Sequence, residues 1–321
     1  MRTRPAPRPG FTLIELLVAI SIMATLTGLV LAGVGRIRAV QTQKATEQSL
    51  SKLQLAIDQQ WKAVLDQVKQ DKINQKIPPT VVAWCDNDTD RAEVVWAYAN
   101  LKREFPETIA EATTPIIFPA IGTHAAYVLQ PRATFASLAG AAGGTVDEQA
   151  AVLLYAILSN SSHRGMIASM EDAGTQAQGT ITIGGGSFSV FRDSWTQPIT
   201  FRRFFGADNT RSNNGYGPPQ LNEVQNTPYV NGRTKQATPN QLDPIDPRGK
   251  VFPPSPTNTW NAAHRNTVEN VLHVTFNGQN RLITVISNGA NKANEHDTAL
   301  QYSTGDDLYG FRLHREGNRG D

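Results

Sequence analysis

The chain of 321 residues predicts an α+β fold, in which one long N-terminal helix packs on a small antiparallel β-sheet, with inserted helices and long loops. Three observations predict it. An apolar run of membrane length follows a short basic leader. Helical spacing continues from that run to about residue 73, with no proline between residues 10 and 77. Four stretches rich in β-branched and aromatic residues, separated by turn residues, lie beyond residue 178.

Residues 1–10 form the leader, with Arg2, Arg4 and Arg8. From residue 11 to residue 35 the one charge is Glu15, and roughly 20 apolar residues suffice to cross a bilayer as a helix. A secretory signal peptide would have a shorter apolar core ending in a small-residue cleavage site; here the helical pattern runs on past Arg36 and Arg38. The leader arginines bias the N-terminus to the cytoplasm and the body to the far side. A carboxylate within the hydrocarbon edge costs a few kcal/mol or more unless paired. Glu15 therefore either snorkels to the interface or seeks a cation.

Residues 36–77 predict the amphipathic half of the same helix. Leu50, Leu53, Ile57, Trp61, Val64, Leu65 and Val68 share one apolar face, and Asp58 and Lys62 stand four apart on the polar side. Pro78 and Pro79 stop the helix. Gly28, Gly33 and Gly35 weaken it locally by about 1 kcal/mol each relative to Ala; they serve close helix packing or a stretch that unwinds.

Residues 78–180 predict an insertion of helices and loops. Helical spacing recurs at 90–105 and 147–161, the second with Asp147 as its cap. The prolines and glycines of 115–144 predict loop and short turns. Residues 181–321 supply the sheet, with strands predicted in 179–193, 198–205, 271–278 and 281–289. "GGGS" at 184–187 reads as a hairpin turn. The Asn-, Pro- and Gly-rich stretch 206–260 predicts an extended, partly mobile connection that buries little, or a partner-binding surface.

Composition excludes several classes. Hydrophobic residues make up 40% of the chain, enough for a real core. The formal charge of +2 becomes 27 − 28 = −1 without the three leader arginines, and no basic block speaks for nucleic acid. Cys85 is the only cysteine, which rules out an intramolecular disulfide and a cysteine-only metal site. No GxSxG, HExxH or Walker loop occurs, and no two of the six histidines are four apart. A lone histidine in a strand, as His273 would be, is most often structural. No enzyme is expected; a single-pass anchored domain with a site assembled only by the fold is the alternative.

"GFTLIE", residues 10–15, resembles the processing site of type IV prepilins and type II secretion pseudopilins. The resemblance rests on Gly10, Phe11, Thr12, Leu13, Ile14 and Glu15 and the apolar run behind them. It implies cleavage between Gly10 and Phe11 by a prepilin peptidase, N-methylation of Phe11, and pairing of the new ammonium with Glu15 of a neighbouring subunit. It implies a pilin-like fold, a single pass through the inner membrane with an extracytoplasmic body, and an inner-membrane assembly platform and other pilin subunits as partners. Two further stretches resemble the major pseudopilin. "RDSWTQPITF" offers Asp193, Trp195, Pro198 and Phe201, with Thr196 where that family has glycine; Trp195 is also expected as a core anchor with Pro198 in a turn. Residues 285–310 resemble a calcium loop, for which Ser287, Asn291, Asp297, Asp306 and Asp307 are the oxygen donors. The alternative there is a solvated turn capped by Asp306 and Asp307. Within the resemblance, the missing disulfide implies the pseudopilin branch, and Glu15 implies a subunit of the filament body. The size of the chain implies a minor, priming subunit.

Overall fold

The computed structural model describes residues 13–141, 143–159, 178–205, 245–246, 250–251, 260–274, 276, 282–289 and 308–310. The chain divides into two compact units, 1–45 and 46–321, each taken by itself below. One helix, α1, Leu13–Ile73, runs through 61 residues, as the proline-free pattern predicts. Gly28 lies within it, and a Cβ built there meets nothing.

In the second unit, α1 buries Leu50, Leu53, Ile57 and Val68 and packs Trp61, Val64 and Leu65 against the same core. Asp58 accepts from Gln54 Nε2 at 2.9 Å. After Gln75 turns to φ 53°, α2, Pro79–Trp84, starts on a proline, which suits a first helical position. α3, Thr89–Glu104, is capped by Asp88, whose carboxylate accepts from the amides of Asp90 and Arg91. α4, Ile109–Thr113, is capped by Thr108 through the Glu111 amide.

The segment 115–144, expected as loop and turns, holds a short antiparallel ribbon of β1, Ile116–Phe118, and β2, Tyr127–Leu129, then a 3-10 turn, Ala133–Leu138. Alternation explains the ribbon: Ile116, Phe118 and Leu129 turn inward while Ile117 and Val128 face out. α5, Val146–Ser159, forms where a second helix was expected. Its cap is Thr145, not Asp147. Thr145 Oγ1 accepts from the Glu148 amide at 3.2 Å and the Glu148 carboxylate accepts from the Thr145 amide at 2.7 Å, a reciprocal capping box. Asp147 instead accepts from Arg202 Nη2 at 2.7 Å.

β3, Gln178–Ile183, and β4, Gly186–Phe191, form the predicted hairpin. Gly184 and Gly185, at φ 56° and 82°, supply the two left-handed residues that a tight hairpin turn needs. β5, Thr200–Phe205, follows. The strand expected at 271–278 is absent among the described residues; 271 and 272 close α6, Ala262–Leu272, which Asn261 caps by accepting from the Ala263 and His264 amides. His273 is the left-handed C-cap of that helix, φ 53°, and not a strand residue. β6, Leu282–Ser287, and β7, Leu308–Tyr309, complete a sheet in the order β5-β6-β7, antiparallel throughout. The small sheet is thus three-stranded and accompanied by two separate hairpins.

β6 is held on both edges. β5 pairs with one, and β7 pairs with Ile286 and Ser287. Beyond them Gln54 of α1 donates to the Ile283 carbonyl and accepts from the Val285 amide, both at 2.9 Å. A buried carboxamide there does the work of another strand's peptide group.

Within 206–260 the expectation of little burial fails at the described positions. Ile245, Asp246 and Val251 are buried, and the Asp246 carboxylate accepts from the Lys250 amide at 2.7 Å and the Val251 amide at 2.9 Å. The rest of that stretch lies outside the described residues. The core is aromatic at its centre: Tyr98 stands 5.3 Å from Phe204 and 5.2 Å from Phe276 between ring centroids.

Candidate functional site

Of the three residues expected to carry processing and assembly, Gly10 and Phe11 lie outside the described residues. Glu15 sits in the first turn of α1 and is exposed. The helix dipole favours a carboxylate at that end. Exposed apolar side chains share its stretch of helix, with Leu13 83%, Ile14 70% and Leu16 58% exposed. A helix apolar all round is made for an apolar surrounding. Its hydroxyls do not spoil this, because each bonds back to the helix: Ser21 to the Leu17 carbonyl at 2.8 Å, Thr25 to Ile22 at 2.8 Å and Thr27 to Met23 at 2.7 Å. No polar side chain between residues 16 and 29 needs a partner outside its own helix.

Among the described residues no helix is long and apolar enough to cross a membrane.

A second cluster lies where the turn after β4 meets the end of β6. The Asp193 carboxylate, in a residue 3% exposed, accepts from the Trp195 amide at 2.9 Å, the Gln197 amide at 2.8 Å and the Ser287 hydroxyl at 2.6 Å. Thr46 of α1 accepts from the Ser194 amide at 3.1 Å. The turn is thus fastened to both helix and sheet. Trp195 is half-buried and outside the core, so it is no core anchor; Ile199 and Phe201 fill that role at full burial. Thr196 has φ 68°, the left-handed region that glycine favours.

Ser287 is the only expected calcium donor among the described residues; Asn291, Asp297, Asp306 and Asp307 lie outside them. Its hydroxyl is already given to Asp193 and accepts from the Gly289 amide at 3.3 Å. The remaining donors, three carboxylates and an amide, are the hard oxygens that calcium prefers. Among the described residues no three His, Cys, Asp or Glu side chains gather closely enough to hold a metal.

Sequence reasoning missed a buried ion-pair group beneath β5. Arg203 donates to the Phe105 carbonyl at 2.9 Å and to both carboxylate oxygens of Glu111, at 3.1 and 3.2 Å. The Arg203 amide donates to Glu107 at 2.6 Å, and Lys102 Nζ stands 3.8 Å from Glu111. Burial pushes the Glu111 carboxyl up, but the charge and hydrogen bonds of Arg203, helped by Lys102, outweigh it and hold it below the usual carboxylate range. The signal was present in "TFRRFF", two adjacent arginines inside an aromatic strand. On a strand they point to opposite faces, so with both faces covered both must find acids.

Residues 7–31 match the family model described as the prokaryotic N-terminal methylation motif, the hallmark of type IV prepilin- and pseudopilin-like proteins. No characterised protein and no solved structure matches the chain.

Proposed function

We propose that this protein is a structural subunit of a type IV pilus or a type II secretion-like pseudopilus, working through its N-terminal helix. A prepilin peptidase cuts between Gly10 and Phe11 and methylates the Phe11 amine. Residues 11–35 anchor the protein in the inner membrane as one pass, with the body on the extracytoplasmic side. In the filament, Glu15 pairs with the Phe11 ammonium of a neighbour and fixes the stagger between subunits. The observation that carries this reading is a methylation motif leading into a helix of 61 residues, exposed and apolar around a carboxylate in its first turn. The protein catalyses nothing in this role; it is the substrate of the peptidase and the partner of other pilins and of the assembly platform.

A second reading is a minor, priming subunit. The elements from α2 to α5, between the long helix and the sheet, favour it, because they enlarge the body beyond what a repeated subunit needs. Calcium in the C-terminal loop belongs to either reading, held by Ser287, Asn291, Asp297, Asp306 and Asp307.

The experiment is N-terminal sequencing and mass measurement of the membrane-bound protein from cells with active prepilin peptidase. A chain starting at N-methylated Phe11 is expected. A start at Met1 would refute the proposal.

A further inference from the structure

Along β2 and the start of the 3-10 turn runs an open cleft of about 580 Å³, within the range of ligand pockets. Two charged side chains line it, Arg103 from the last turn of α3 and Arg132 from the residue that begins the 3-10 turn. No acid lines it. The side chains of Arg103 and Arg132 are 32% and 29% exposed, so solutes reach both. Beside the cleft, Glu104 is 12% exposed and holds both guanidiniums. Arg103 Nε and Nη2 donate to its Oε1 at 3.2 and 2.8 Å, and Arg132 Nη1 stands 2.6 Å from its Oε2.

One carboxylate therefore serves two guanidiniums, and among the described residues no second acid pairs with either. One positive charge is left over. Because Glu104 already gathers the two long side chains, a ligand need not pay again for ordering them. The Nε–Nη2 edge of Arg132, the fork that matches a carboxylate, is not used by Glu104. A leftover charge of one suits a carboxylate, whereas a phosphate group carries nearly two at pH 7 and overshoots it. The cleft is also far larger than a free anion needs. Val128, 40% exposed, and Pro131 give the aliphatic stem of a glutamate an apolar contact, and Gln130 offers an amide beside them.

We infer that this cleft binds an acidic segment of another polypeptide, with one carboxylate of that segment completing the charge balance of Arg103, Arg132 and Glu104. Such docking is steered by charge and weakens as salt is raised. It goes beyond assembly through the N-terminal helix and does not depend on it.

The test is isothermal titration of the full chain in an uncharged detergent with a blocked hexapeptide alternating glutamate and threonine, and with the same peptide carrying glutamine for glutamate. The acidic peptide should bind at least about tenfold more tightly than its glutamine counterpart, and less tightly at higher salt. Arg132→Gln removes the leftover charge and should weaken the acidic peptide about tenfold, while Glu104→Gln doubles that charge and should tighten it about threefold. An ion-pair group with no ligand to hold would give neither change. Circular dichroism and the urea midpoint check that each variant keeps the fold, and the comparison of the two peptides on the parent chain stands whatever the variants do. Equal binding of the two peptides overturns the inference, as does no binding of either. Undiminished binding to folded Arg132→Gln would place the peptide elsewhere on the chain and overturn it too. Displacement of the peptide by an equal concentration of inorganic phosphate would make this a site for small anions and also overturn it.

Discussion

Thr196 holds a conformation that its branched Cβ resists, at a cost of about 1–2 kcal/mol. The turn keeps it there because Asp193 grips the amides on either side. Thr196→Gly is therefore expected to raise the unfolding free energy by about 1 kcal/mol, less the entropy that glycine adds to the unfolded chain; a shift of the urea midpoint to higher concentration at constant slope checks it. Glu111 gives the opposite case. Its folded carboxyl titrates below the ordinary value of 4.5, so its stabilisation is fully present above that pH and is lost as pH falls through the lowered folded value. Stability measured between pH 7 and pH 2 should fall in that acid window. In Glu111→Gln this part of the profile should flatten. The variant should also lose roughly 3–5 kcal/mol at neutral pH, because the buried Arg203 is left without its carboxylate.

The seam between α1 and β6 hangs on one carboxamide. In Gln54→Leu the side chain keeps much of its volume, but the Ile283 carbonyl and the Val285 amide lose their partners in a buried setting. A loss of about 1–3 kcal/mol is expected, read by urea unfolding, with the secondary structure intact at low denaturant. Such cross-chain links explain which elements were legible in advance. The long helix, α3, α5 and the β3–β4 hairpin announce themselves through spacing and turn glycines within a few residues. α6 was misjudged because Val271, Val274 and Phe276 look strand-like by residue type, while the informative signal was Asn261 standing as a cap before a helical run. Asp147 looked like a cap because it lies in the first turn, but its partner Arg202 is 55 positions away and no local pattern reports it. The β1–β2 ribbon was illegible for the same reason, since prolines around it spoke for loop. The methylation motif at residues 7–31 could be found from the sequence because it is a local pattern in the chain itself.

The pairing proposed for Glu15 makes a separable prediction. Glu15→Val should still be cleaved at Gly10 and inserted, but subunit cross-linking within the filament should drop sharply, because the Phe11 ammonium of the neighbour is left buried without a counter-charge. Unchanged cross-linking would leave Glu15 without that role. Calcium makes another. The body lacking residues 1–35 should melt at higher temperature with calcium than with a chelator, since a ligand at a hundred times its Kd stabilises by about 2.7 kcal/mol. Asp306→Ala with Asp307→Ala should erase the difference, and magnesium should substitute poorly.

The unbroken run of α1 carries a mechanical consequence. Within the second unit its residues 46–73 rise about 42 Å at 1.5 Å per residue, and their hydrogen-bond ladder lies along the helix axis. A pull on this helix at residue 46 is transmitted along that ladder to Leu50, Leu53, Gln54 and Ile57 in the core. There it meets the two bonds from Gln54 to β6, which cross from helix to sheet and are strained in shear. Tension on the helix–sheet seam would thus be tested first at that carboxamide, and Gln54→Leu should slip at lower force than the parent body when stretched from residue 46.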